Sequence, residues 1–103
     1  MDRKNIDIPK RFTLGGQNIT VKVNKNIALE NTLGHNQHFF NLISVRTHYD
    51  GKPMAIDQVE QTFYHELVHS ILYTMNRHDL NSDEDFVDNF AQYLYQYTKT
   101  AKY

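Results

Sequence analysis

The chain has 103 residues, 40% of them hydrophobic, including 7 Tyr and 6 Phe. That fills one modest core and is too short for two, so residues 1–103 are read as one ordered domain. The formal net charge is −1 with no basic stripe, which argues against a nucleic-acid partner, and the absence of cysteine excludes disulfides and every thiolate metal site.

Any zinc bound here must be held by His, Asp or Glu. A domain of this size is marginally stable, so a metal can add usefully to its folding. The opening stretch MDRKNIDIPKRF is charged, with no apolar run behind it, and nothing approaches the length of a membrane span. A cytoplasmic protein without membrane segments is expected.

Ile19, Val21 and Val23 alternate with polar residues, the pattern of a half-buried strand. Gly15 and Gly16 just before it predict a tight turn back to a strand over 11–14. Residues 25–38 have no clear periodicity. FFNLISVRT, residues 39–47, is rich in aromatic and β-branched residues and reads as a further strand. Asp50 and Gly51 then form a turn pair, with Pro53 in the loop beyond.

The period then changes. Val59, Phe63, Leu67, Ile71 and Met75 recur every four residues, widened by Val68 and Leu72, and predict an amphipathic helix over about 57–76. Asp57 suits its N-cap or first turn. RHDLNS, residues 77–82, is a polar break. Ser82 as N-cap with Asp85 as a capping-box partner opens a second helix over 83–98, marked by Phe86, Val87, Phe90, Ala91 and Leu94. The fold class is α+β: a small antiparallel sheet followed by two amphipathic helices.

The first helix carries FYHELVH at 63–69. His65 and His69 are i and i+4 on one helical face, roughly 5–6 Å apart at Cβ, so both imidazoles can ligate one tetrahedral ion. Glu66 is rotated away from His65 and can take a proton from a bound water. At this composition chance supplies such a motif only about 0.01 times per chain, and here it lies on a strongly periodic helix.

A catalytic zinc needs a third protein ligand and one open position. Glu84 is the candidate, in the first turn of a second helix that a short loop folds back antiparallel. Asp88, four residues on, can accept a hydrogen bond from the outer nitrogen of His65 or His69. His78 and Asp88 are the alternative third ligands. His35, His38 and His48 read as ordinary surface histidines.

The residues HELVH at 65–69 and EDFVD at 84–88 resemble the gluzincin zinc metallopeptidases, the thermolysin-like group, and in particular its small phage-type cytoplasmic domains. The resemblance covers roughly 57–98. It implies a minimal zincin-like fold with Zn2+ bound by His65, His69 and Glu84. Glu66 would serve as general base and acid and Asp88 would support a ligand. It implies a protein or peptide substrate, paired with an edge strand that would fall within 39–47. Two features depart from the group. The spacing from His69 to Glu84 is short, and no His follows Glu84 to stabilise an oxyanion. Tyr93, Tyr95, Tyr97 and Tyr103 follow it, with His78 and His48 as further possibilities. Peptide deformylases would need a cysteine ligand, and metzincins would need Gly and His where Leu72 and Met75 stand.

The function expected is zinc-dependent peptide-bond hydrolysis. The rival is a non-catalytic, zinc-stabilised interaction or regulatory module, followed by a metal-free interaction domain.

Overall fold

The first hairpin forms where its glycine pair allows. In the computed structural model, which describes residues 6–27 and 31–103, β1 (Arg11–Leu14) and β2 (Gln17–Asn24) pair antiparallel. Gly15 and Gly16 between them have φ of 53° and 80°, the left-handed pair that a two-residue type I′ turn needs. Parts of the N-terminal stretch 1–12 and of the segment 25–38 lie outside the described residues.

β3 (Gly34–Gln37) and β4 (Leu42–Arg46) complete a four-stranded sheet of order β1-β2-β4-β3. β2 and β4 are parallel, while β3 and β4 are antiparallel. The sheet is therefore mixed, not the antiparallel one expected. β3 lies at the far edge, antiparallel to β4, and β4 runs in the direction of β2.

The segment 39–47 is also not an edge strand. It begins in a 3-10 turn at His38–Phe40, Asn41 turns left-handed with φ 51°, and Leu42–Arg46 is bonded by a neighbour on each side. Among the described residues the open edge beside the helices belongs to β3. A small hairpin of β5 (His48–Tyr49) and β6 (Lys52–Pro53) follows, turning at Asp50 and Gly51 with φ 52° and 74°. Pro53 thus sits in a short strand.

One face of the sheet, with Ile19, Val21, Ile43 and Val45, packs on Val59 and Phe63 of α1 (Ile56–Thr74). A second apolar cluster joins Val68 and Leu72 of α1 to Val87 and Ala91 of α3 (Glu84–Thr100). Serving two partners twists the buried stripe of α1 away from the simple four-residue repeat. Leu67 and Ile71 are half-buried and Met75 is 59% exposed. On α3, Phe90 is likewise exposed, its ring tilted against that of Phe86 with centroids 5.7 Å apart.

The helix ends are set by local hydrogen bonds. Ala55 is the N-cap of α1, with Asp57 in the first turn. At the other end Asn76 is left-handed with φ 59°, the Arg77 N–H donates to Leu72 O and the Asn76 N–H to Tyr73 O. This is the Schellman pattern, with asparagine in the place glycine usually takes. The polar break 77–82 holds one further helical turn, α2 (His78–Asn81), whose C-cap is Ser82. The N-cap of α3 is Asp83, whose Oδ1 accepts the Phe86 N–H at 3.1 Å, in place of the expected Ser82 and Asp85 box. Among the described residues no helix is long and apolar enough to cross a membrane.

Glu60 is 2% exposed and ties the N-terminal segment to both long helices. Its Oε2 accepts the Asp7 N–H at 2.7 Å, and its Oε1 accepts the Tyr95 hydroxyl at 2.8 Å and lies 3.1 Å from Lys99 Nζ. Burial pushes this carboxyl up, but the bonds from Asp7, Tyr95 and Lys99 together outweigh it and hold Glu60 below its ordinary value. A depressed folded pKa stabilises above the ordinary value of 4.5, and that contribution is lost as pH falls through the folded pKa.

Glu60→Ala strands three donors and is expected to lower the unfolding free energy by about 3 kcal/mol in urea titrations at neutral pH. The gap to wild type should narrow below pH ~4; a gap that does not change with pH would show that the charge of Glu60 is immaterial.

Candidate metal centre

His65 and His69 emerge from α1 on the face between α3 and the β3 edge. The 71° angle and 4.9 Å centroid separation of their rings leave the Nε2 atoms pointing at common space. Glu84, opening α3, faces them: Oε2 is 3.4 Å from His65 Nε2 and Oε1 is 3.3 Å from His69 Nε2. The structure thus brings together all three residues expected as ligands, with ligand atoms within 4.8 Å of one another.

The outer nitrogens decide what this arrangement can do. His65 Nδ1 lies 3.0 Å from Asp88 Oδ1, and a carboxylate only accepts, so Nδ1 carries the proton. His69 Nδ1 lies 2.5 Å from Asn81 Oδ1 and donates to it likewise. Both Nε2 lone pairs therefore face the Glu84 carboxylate. Three acceptors aimed at one another repel unless a cation lies between them. Protons on both Nε2 atoms would instead create two adjacent imidazolium cations. Bonds of 2.0–2.1 Å to a tetrahedral ion place ligand atoms about 3.3 Å apart; each histidine has a different Glu84 oxygen near that spacing, at 3.4 and 3.3 Å, and one ligand atom from each residue can be chosen within 4.8 Å of the others. The donor set fits zinc.

Asp88 makes the contact expected of it, at the outer nitrogen of His65, and is not among the three grouped ligand residues. Asn81 does not figure among the residues expected at the site. It lies in α2, within what reads as a polar break, and the one available signal is an amide-bearing residue a few positions before Glu84. His78 is outside the cluster, its ring edge-on to Tyr73 at 6.4 Å. His48 sits on β5 against Thr47 Oγ1 at 2.8 Å. His38 is more than a surface histidine, for it stacks on Tyr73 at 4.1 Å with the ring planes 2° apart. Burial, and secondarily the nearby His69, hold His38 below its ordinary value.

Glu66 is 8% exposed. Its carboxylate makes no hydrogen bond to the described residues, in contrast to Glu60. Burial raises its pKa, opposed by His65, His69 and His35 and reinforced by Glu84. A carboxylate in that state binds a proton more readily than a solvated one, as a general base requires.

β3 crosses directly over this residue. A Cβ on Gly34 would meet Thr62 Cγ2 at 2.7 Å and Glu66 Oε2 at 3.2 Å, so glycine is required by close approach. Asn36 clips the strand down, its Nδ2 donating to Glu66 O at 2.9 Å and to Ser70 Oγ at 2.8 Å. A cleft of about 420 Å³ opens beside the centre between Gly34, Thr62, His65, Glu66 and Asp88. A second, of about 530 Å³, lies further along α1 between Asn36, His38, Ser70, Tyr73 and His78.

Three of the four tyrosines after Glu84 are hydrogen-bonded elsewhere, and the fourth is exposed. Tyr95 bonds Glu60, Tyr97 and Tyr103 bond each other at 2.6 Å, and Tyr93 is 73% exposed.

Comparison of the chain with models of known protein families, with curated proteins and with solved structures yields no match. The chemistry of the cluster therefore rests on its own geometry.

Asn81→Ala removes the acceptor that fixes the His69 ring and is expected to weaken zinc binding about 10- to 100-fold in a chelator competition. Equal affinity in both proteins would show that Asn81 does not orient His69. Gly34→Ala is expected to destabilise the fold by about 1–3 kcal/mol in thermal unfolding, and an unshifted Tm would mean that Thr62 yields without cost.

Proposed function

We propose that this chain is a zinc-dependent peptidase acting on a protein or peptide substrate. The observation that carries this reading is the convergence of three acceptor-only ligand atoms from His65, His69 and Glu84 beside a buried, unbonded Glu66. A zinc ion held there supplies a Lewis acid for the scissile carbonyl and acidifies water towards a pKa of about 7.

His65 and His69 offer Nε2 because Asp88 and Asn81 hold their Nδ1 protons. Glu66 takes the proton from the attacking water as the carbon–oxygen bond forms. It then delivers that proton to the leaving nitrogen as the carbon–nitrogen bond breaks, giving a carboxylate and an amine. An extended substrate would pair with the open edge of β3, which passes close to Glu66, rather than with residues 39–47. A cytoplasmic location goes with this reading, as the resemblance to phage-type domains implies.

One observation favours a second reading, a non-catalytic zinc module that binds a partner. The tyrosines downstream of Glu84 are engaged away from the centre or exposed, so none of them supplies an oxyanion donor.

Glu66→Gln separates the two. The peptidase reading expects full zinc content by elemental analysis and loss of hydrolysis of labelled casein. Hydrolysis by the Glu66→Gln variant at the wild-type rate would refute a base at this position. A zinc-to-protein ratio near zero in wild type would end both metal readings, while Glu84→Ala is expected to weaken zinc binding sharply.

A further inference from the structure

Besides the side chains it buries, α3 carries a second row of large apolar ones. Phe86, Phe90, Tyr93 and Tyr97 follow one another at steps of four, three and four, the spacing of one helical face. At 100° per residue the row is centred about 110° round the helix from Val87 and Ala91, which pack on α1. Glu84 lies about 150° from it, so the row and the candidate metal centre occupy different sides of α3.

Phe90, Tyr93 and Tyr97 are 50%, 73% and 60% exposed, while Phe86 is half-buried and its ring lies against that of Phe90. At ~200 Å² per ring, the three exposed ones leave roughly 400 Å² uncovered. Single apolar residues are ordinary on a surface. A contiguous row of this size on so small a domain marks an interaction face.

Two features say what covers it. The first is that the spacing is the same from either end. A second α3 laid antiparallel on the row, about a two-fold axis between Phe90 and Tyr93, sets Phe86 opposite Tyr97 and Phe90 opposite Tyr93. Every contact along the row then joins a Phe to a Tyr, which is the self-complementarity that a two-fold interface requires. The second feature is charge. Neutral Asn89, Gln96 and Thr100 flank the row on one side, and the charges beside it stand at its ends. Asp83 and Asp85 are at the start of α3 and Lys102 is just past its end, while Lys99 is turned to Glu60. Parallel pairing would bring the acidic starts together. Antiparallel pairing sets each acidic start beside the partner's Lys102 and opposes the two helix dipoles.

We propose that the aromatic row of α3 is a homodimer interface, occupied by a second copy of this chain packed antiparallel about a two-fold axis. The contact is small, so association is weak and concentration-dependent. The side of α3 that bears Glu84 stays uncovered by it, and the inference does not depend on the peptidase reading.

Sedimentation equilibrium of the full chain between about 5 and 200 µM is expected to show the mass rising from 12.2 kDa towards twice that value. Phe90→Glu and Tyr93→Glu each place a carboxylate mid-row at a position already half or more exposed. Each is expected to weaken dimerisation at least ~30-fold with an unchanged circular dichroism spectrum. Should one variant misfold, the other still reads the face. The chain has no cysteine, so single-cysteine variants report the register. A mixture of Phe90→Cys and Tyr93→Cys proteins oxidised with diamide is expected to give mainly the mixed 90–93 disulfide by mass spectrometry. Predominance of 90–90 and 93–93 disulfides overturns the antiparallel arrangement. A single-chain mass throughout the concentration range, or a dimer that both glutamate variants leave intact, overturns the interface itself.

Discussion

The polar chemistry of this protein depends on an apolar contact. Val87 and Ala91 of α3, 0% and 3% exposed, pack against Val68 and Leu72 of α1. That contact lays α3 antiparallel on α1 and fixes where the first turn of α3 stands. Glu84 is three residues from Val87 and Asp88 is next to it, so their reach to His65 and His69 follows from how those small side chains seat. Close-packed interiors transmit a misfit of a single methylene. A shift of α3 would open the 3.3–3.4 Å ligand spacings before it exposed the core.

Two buried glutamates on the same helix sit in opposite electrostatic environments. Glu60 and Glu66 are 2% and 8% exposed, and both are desolvated. Glu60 accepts from a backbone N–H and a tyrosine and pairs with a lysine, so its charge is satisfied and its pKa is depressed. Glu66 has no such donors, and its pKa is raised. The first binds three segments of the chain together. The second keeps free acceptor capacity beside a group of ligand atoms, a state that costs stability and suits proton transfer.

β3 links these parts to a groove. Its four residues, GHNQ, contribute almost no apolar area, yet two of them set its height above α1. Gly34 admits the backbone to Thr62 and Glu66, and Asn36 bonds the helix at Glu66 O and Ser70 Oγ. The strand continues into His38, whose ring meets Tyr73. One wall of the groove is thus built by a strand held through polar and close-approach contacts, and the other by a helix held through apolar ones.

The sequence by itself determined the elements whose signal is local. The glycine pair at 15–16, the alternation over 19–23, the helical repeat of 59–72 and the HELVH spacing each depend on neighbours a few residues apart, and each element formed where expected. It also placed Glu84 and Asp88 opposite the histidines, because a short break between two amphipathic helices leaves few ways to pack. Tertiary structure decided what depends on distant partners. The parallel pairing of β2 with β4 put β3 at the edge and 42–46 inside, although GHNQ carries no strand signal and FFNLISVRT is rich in aromatic and β-branched residues. Asn81 became the partner of His69, and Tyr73 and His38 became stacked, because the turn of α2 and the end of β3 converge on α1 from opposite sides. Hydrophobic periodicity encodes which face is buried. It carries no record of which polar side chain meets which across the fold, since those pairings span separations that no local pattern reports.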